Sequence, residues 1–189
     1  MDSILTHPPP EMELAGANLA DPGTIGAIYA HYVARISTYV RYRVADAAVA
    51  DDLTAHIFER MVQRIATYNP QRGPFVVWLW AIARNSVNDH LRATRRQRWL
   101  SLDAFREWLS PLPQPEDTVV EAERRDDLLR AVARLGERER DLIALKFVGH
   151  LPNRRIAELT GLSQNNVAVI VHRTLKRLRA DLEAEDSDD

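Results

Sequence analysis

The chain has 189 residues, 46% of them hydrophobic and 28% charged, with a formal net charge of −2 and no cysteine. That much apolar matter builds one ordinary core or two small ones and excludes a wholly disordered chain. The missing thiols exclude a disulfide framework, a cysteine nucleophile and every sulfur-ligated metal.

Neither a basic-then-apolar start nor a run of about eighteen apolar residues is present, so the expectation is a cytoplasmic protein without membrane insertion. The small net charge conceals alternation: residues 1–27 carry −4, 28–100 carry +6, 101–127 carry −5, 128–180 carry +7 and 181–189 carry −6. Two basic blocks parted by an acidic strap point to a polyanion touched at two places.

Residues 1–22, with "THPPPEMELAG", read as a loose proline-rich leader. From Thr24 the residues Ile25, Ile28, Tyr29, Tyr32, Val33, Ile36, Tyr39 and Val40 return at helical spacing. A second helix is expected from about Ala47 to Tyr68, with Val49, Leu53, Ile57, Phe58, Met61, Val62 and Ile65 on its apolar face. Asp51 and Asp52 stand near its start, where acids meet the positive end of the helix dipole or a basic partner. "NPQRGP", Asn69 to Pro74, stops it. A third helix runs from about Phe75 into "RATRRQR", with Leu79, Trp78 and Ile82 inward.

In this third helix aromatics alternate with Arg84, Arg92, Arg95 and Arg96, a pattern that suits unpaired bases: an extruded base offers a face for stacking while its backbone needs cations. The segment from Ser101 to Asp117 holds three prolines and reads as a linker, whose Phe105, Trp108 and Leu109 are candidates for docking on a partner. Further helices are expected at about Val119–Leu135 and Glu137–Val148.

The stretch "RIAELTGLSQNNVAVIVHRTLKRL" has the layout of a helix-turn-helix. Ala157 is small enough for a close helix crossing, Gly161 tolerates positive φ, and Ser163 is placed to cap the next helix. Winding that helix sends Val167, Ile170, Val171, Thr174, Leu175 and Leu178 inward. Asn165, Val169, His172, Arg173 and Lys176 face outward, with Gln164, Asn166 and Ala168 at the margins. The outward set has the chemistry to touch thymine methyls, pair with adenine edges and hold phosphates; Arg154 and Arg155 are placed to grip the backbone from the other side.

No enzyme motif is present. Glycine-rich phosphate loops are absent, and His7, His31, His56, His90, His150 and His172 form no pair at metal-binding spacing, so no catalytic residue, metal or cofactor is expected. The fold class expected is all-α: two small helical domains joined by a flexible linker, the C-terminal one a helix-turn-helix.

Three segments, "DDLTAHIF" at 51–58, "YNPQRGPFVVWLWAIARNSVNDHLR" at 68–92 and "LGERERDLIALKFVGHLPNRRIAELTGLSQNNVAVIVHRTLKRLR" at 135–179, resemble the sigma-70 family of bacterial RNA polymerase sigma factors. The small extracytoplasmic-function (ECF) group, with two domains in this order, is the best match. The resemblance implies sigma region 2 at 23–100, a linker at 101–118, region 4 at 119–183 and an acidic tail at 184–189. It implies binding of core RNA polymerase, with Asp51, Asp52, Leu53, Phe58 and Glu59 on the clamp helices of the largest subunit and region 4 at the flap of the second-largest.

It also implies melting of the minus-ten promoter element by Asn69, Arg72, Phe75, Arg84, Asn85, Asn88, Asp89, Arg92, Arg95 and Arg96. The minus-thirty-five element would be read by Arg154, Arg155, Ser163, Gln164, Asn165, Asn166, Val169, His172, Arg173 and Lys176. An anti-sigma factor is a further implied partner. Two departures stand out: Ala55 and His56 replace the family's Gln-Glu, and Ala168, Val169 and Ile170 replace Lys-Ser-Arg in the reading helix. The alternatives are a stand-alone helix-turn-helix regulator, which would recognise duplex by itself, and a helical adaptor that touches no nucleic acid.

Overall fold

The computed structural model describes residues 18–44, 46–98, 128 and 130–185. Every regular element among them is helical. Leader residues 1–17, the whole expected linker with Phe105, Trp108 and Leu109, and Trp99 lie outside the described residues.

Helix α1 spans Pro22–Arg43. It starts two residues before the expected Thr24 because Asp21 caps it: its carboxylate accepts from the Thr24 amide at 3.0 Å, and Pro22 occupies a first-turn position where a missing N–H costs nothing. Helix α2 spans Ala47–Arg64 and is capped the same way, Asp46 accepting from the Val49 amide at 2.9 Å. It tightens into a 3-10 turn at Ile65–Thr67, which accounts for the end expected near Tyr68. Helix α3 spans Phe75–Arg98 and follows Pro74 directly.

The C-terminal half opens with helical residues at 130–133. Helix α4, Glu137–Ile143, runs into a π turn at Ala144–Val148, where the Gly149 amide reaches back five residues to the Ala144 carbonyl at 3.0 Å. Helix α5 spans Asn153–Thr160 and ends in Gly161 at φ 74°, the left-handed position expected of it. Helix α6 spans Gln164–Glu185, with the Ser163 hydroxyl accepting from the Asn166 amide at 3.2 Å. Among the described residues no helix is long and apolar enough to cross a membrane.

Both halves contribute to one continuous core. Ile28, Tyr32, Ile36 and Tyr39 of α1, Ile57 and Met61 of α2, and Leu79, Trp80 and Ala83 of α3 are buried in the same cluster as Leu142, Leu145, Ile156, Val167 and Val171. Each large aliphatic side chain among them stabilises the fold by roughly 1.5–3 kcal/mol through removal from water. A smaller cluster of Ala131, Val132, Leu135 and Leu178 ties the 130–133 helical segment to α6. The tryptophan at the centre is Trp80, fully buried and edge-on to Tyr39 at 5.1 Å, whereas Trp78 is only partly covered. Helical winding from Leu79 and Ala83 accounts for the exchange, since Trp80 shares their side of α3.

Candidate nucleic-acid interface

Helix α6 presents the outward face the winding assigns to it. Gln164, Asn165, Asn166, Val169, His172, Arg173 and Lys176 are exposed, as is Ser163, and Val169 keeps 39% of its surface in contact with solvent. Val167, Val171, Thr174 and Leu178 are buried on the opposite side. Leu175, assigned inward from the sequence, is 40% exposed. It sits about 80° round the helix from Val167 at ~100° per residue, beyond the edge of the buried stripe. Arg154 and Arg155 both pair with Glu158, at 3.3 and 2.8 Å. The hydrogen bond from Arg155 first, and then the arginine charges, hold that carboxyl below its usual range.

The expected minus-ten residues divide into three groups. Asn69, Arg72, Asn85, Asp89, Arg92 and Arg95 are exposed along the 69–74 loop and one side of α3, the array a nucleic-acid strand could follow. Arg92 pairs with Asp89 at 3.4 Å and Arg95 with Glu137 of α4 at 2.5 Å. Of Arg96, only the helical backbone is described. Phe75 is a correction: it is 5% exposed, packed against Tyr68 at 5.3 Å and Trp78 at 5.4 Å between ring centroids, so it shapes the loop from below and offers no stacking face. Arg84 and Asn88 are half-buried: Arg84 is turned toward the C-terminal half, where it donates to Asp141, and Asn88 accepts from Arg43 of α1.

On α2 the acidic side chains Asp51, Asp52 and Glu59 are exposed and Leu53 is partly covered. Asp51 accepts from Arg41 at 2.7 Å. Phe58 is the second correction. It is 5% exposed because α1 covers it, and its ring meets Tyr29 edge-on at 4.8 Å. Tyr29, itself 49% exposed, is the aromatic that this face presents to solvent.

Comparison with known proteins decides what this arrangement is. The Sigma-70 region 2 family matches residues 28–97 and the Sigma-70 region 4 family matches residues 125–178. The chain belongs to the sigma-70 family. Its place within the family is the ECF group. The chain is 31% identical to the ECF RNA polymerase sigma factor BldN of Streptomyces coelicolor, over 88% of this chain and 62% of that one, so it spans less than two thirds of that relative's length. It is 27% identical to the ECF RNA polymerase sigma factor RpoE of Cereibacter sphaeroides, over 84% of this chain and 86% of that one. In fold it is similar to the sigma factor RpoE co-crystallised with the anti-sigma factor NepR from Bartonella quintana (TM-score 0.74, 17% identity, 84% of this chain and 96% of that one). It is also similar to CnrH in complex with the cytosolic domain of CnrY (TM-score 0.61, 21% identity, 87% and 90%).

Between the two sigma regions lies a polar cluster that the sequence reading did not find. Asp141, 4% exposed, projects from α4 of region 4 into region 2. Its Oδ1 accepts from the Tyr39 hydroxyl at 2.8 Å and from Arg43 Nη1, and its Oδ2 accepts from Arg84 Nε at 2.7 Å. Arg43 also donates to Asn88 Oδ1 at 3.0 Å, and Arg84 donates to the Leu159 carbonyl at 2.8 Å, near the C-terminal end of α5 where the helix dipole favours a cation. Burial, and then the Asp141 charge, push the Tyr39 phenol well above its ordinary value, which keeps it protonated and able to donate.

Beside the cluster Gly149 is required first by its own turn, where a Cβ would stand 2.6 Å from the Leu145 carbonyl, and second by the seam, where it would stand 3.3 Å from the Trp80 ring of region 2. A cleft of about 280 Å³ flanks the cluster, walled by Arg92, Arg95 and Arg138 as well as by the paired groups. No local pattern marked Asp141, since its partners lie 57 to 102 residues away in sequence.

Proposed function

We propose that this chain is a promoter-specificity subunit, which binds core RNA polymerase, directs it to particular promoters and carries no catalytic chemistry of its own. The observation that carries the reading is the order of the two matched families along one chain, region 2 before region 4, with an exposed polar face on the second helix of the helix-turn-helix. In this reading Asp51, Asp52, Leu53 and Glu59, joined by Tyr29 in place of Phe58, meet the clamp helices of the largest subunit. Region 4 meets the flap of the second-largest.

Asn69, Arg72, Asn85, Asp89, Arg92, Arg95 and Arg96, with Arg84 and Asn88, engage the melted minus-ten element, where the bases are unpaired and the backbone needs cations. Gln164, Asn165, Asn166, Val169, His172, Arg173 and Lys176, with Ser163 and the arginines at 154 and 155, read and hold the duplex at minus-thirty-five. Val169 offers methyl groups for thymine where the family pattern implied by the resemblance has serine, so the element read there is expected to be unusual. Bartonella quintana RpoE binds an anti-sigma factor. By the likeness of fold, we extend that class of partner to this chain.

The test is reconstitution of the purified chain with core polymerase on a promoter library. Promoter-selective transcripts that need both components support the reading. Sequence-selective duplex binding by the chain alone, at full strength in a gel shift, would point to a stand-alone regulator.

A further inference from the structure

We propose that region 4 acts as an intramolecular lock on region 2, with Asp141 as its bolt, so that the closed chain cannot engage a melted promoter until the two regions part. The inference rests on the sigma reading for its consequence and on geometry alone for its existence. Two of the α3 side chains assigned to minus-ten DNA are engaged by region 4 in the closed arrangement. Arg84 is held by Asp141 and the Leu159 carbonyl, and Arg95 by Glu137. A phosphate approaching Arg84 or Arg95 must displace a carboxylate already within 2.7 Å.

The chemistry of the bolt suits a device that opens. Buried charges regain their hydration when they separate, so the ionic part of the seam costs less to part in water than the apolar cluster the two regions share beside it, and that apolar cost is what polymerase binding must offset. Asp141 accepts from three donors on two helices of region 2, α1 and α3, and only one docking angle satisfies all three. Gly149 against Trp80 fixes how closely the regions approach at that angle. The same carboxylate therefore sets the register of the closed state and withholds Arg84 from DNA.

Because the chain has no cysteine, two can be introduced as unique labels. Arg95→Cys with Glu137→Cys places thiols at an exposed contact across the seam, to be bridged by a short bismaleimide or capped singly by a monomaleimide. The wild-type chain is assayed beside them. Both treatments remove Arg95, so the comparison isolates closure. The bridged chain should give at least about tenfold fewer promoter transcripts with core polymerase than the capped one, since only the open fraction is competent; equal yields overturn the lock.

Small-angle scattering of the unmodified chain should fit the closed dimensions, and Asp141→Asn should raise the radius of gyration and the transcript yield together. Should capping itself silence the chain, that variant decides: a larger radius with more transcripts upholds the lock, and an unchanged radius overturns it. A wild-type chain that gives no promoter transcripts would instead remove the sigma reading, and scattering would still decide on closure.

Discussion

Two valines two residues apart test whether the outward face of α6 reads bases. Val171 is 7% exposed and packs in the core shared by both regions; Val169 is 39% exposed. Trimming Val171 to alanine removes two buried carbons, worth about 0.8 kcal/mol each by transfer, and leaves a small cavity that adds a few tenths, for a total near ~2 kcal/mol. In a chain of this length that lowers the melting temperature by roughly 4–8 °C. Val169→Ala, at a solvent-facing position, should stay within about 0.5 kcal/mol of wild type.

Circular dichroism melts of the two variants give the first comparison, and transcription from promoters differing at single minus-thirty-five positions gives the second. Val169→Ala should change which bases are preferred at one position while leaving the melt alone, and Val171→Ala should do the reverse. If Val169→Ala lowers the melting temperature as much as Val171→Ala, the helical phase is wrong and the reading face must be redrawn around Asn165, Asn166 and Arg173.

Arg92, exposed on α3, should reduce the salt slope of open-complex formation by about one when changed to alanine, measured across a potassium chloride series; an unchanged slope removes it from the DNA backbone. Asp51→Ala should weaken co-elution with core polymerase at unaltered helical content, because Asp51 is exposed and its loss opens no cavity. Phe58→Ala should instead cost about 3–5 kcal/mol of stability in denaturant titration, as for any large ring lost from a core. Gly161→Ala should destabilise by about 1–2 kcal/mol in the same titration, since no neighbour lies within 4 Å of its added Cβ and the cost is the left-handed backbone alone.

What the sequence made legible was local. The helix-turn-helix was visible because Gly161 and Ser163 act on their immediate neighbours, and α1 and α2 because an apolar stripe repeats within a few turns. The π turn at Ala144–Val148 gave no signal, as its residues also fit an ordinary helix. Phe58 and Phe75 were assigned to partners by family position, and both were misassigned for one reason: an aromatic on an amphipathic helix reads alike whether it meets solvent or a neighbouring helix. Arg95, counted among the cations for unpaired bases, pairs with Glu137, 42 positions along the chain. Charge counted along a sequence therefore overstates the cations free for DNA wherever a distant element folds back.

That folding back also bears on why a charge occupies the seam at all. An aliphatic side chain at 141 alone would leave Arg43 buried without its carboxylate, and removing one partner of a buried ion pair costs about 3–5 kcal/mol. Replacing Asp141, Arg43 and Arg84 together by apolar groups is the change that is often neutral or stabilising by about 1–4 kcal/mol, so stability alone does not favour a charged seam over an apolar one. Geometry does: aliphatic side chains tolerate several docking angles, whereas a carboxylate with one donor on Oδ2 and two on Oδ1 fits one. Reversibility favours it as well, because beside an aliphatic group Arg84 would have no carboxylate in the closed state and would be held there by the Leu159 carbonyl alone, a weaker barrier to a phosphate. With aspartate there, the cation assigned to the promoter is available only when region 4 has moved away, which couples exposure of one DNA-binding surface to release of the other.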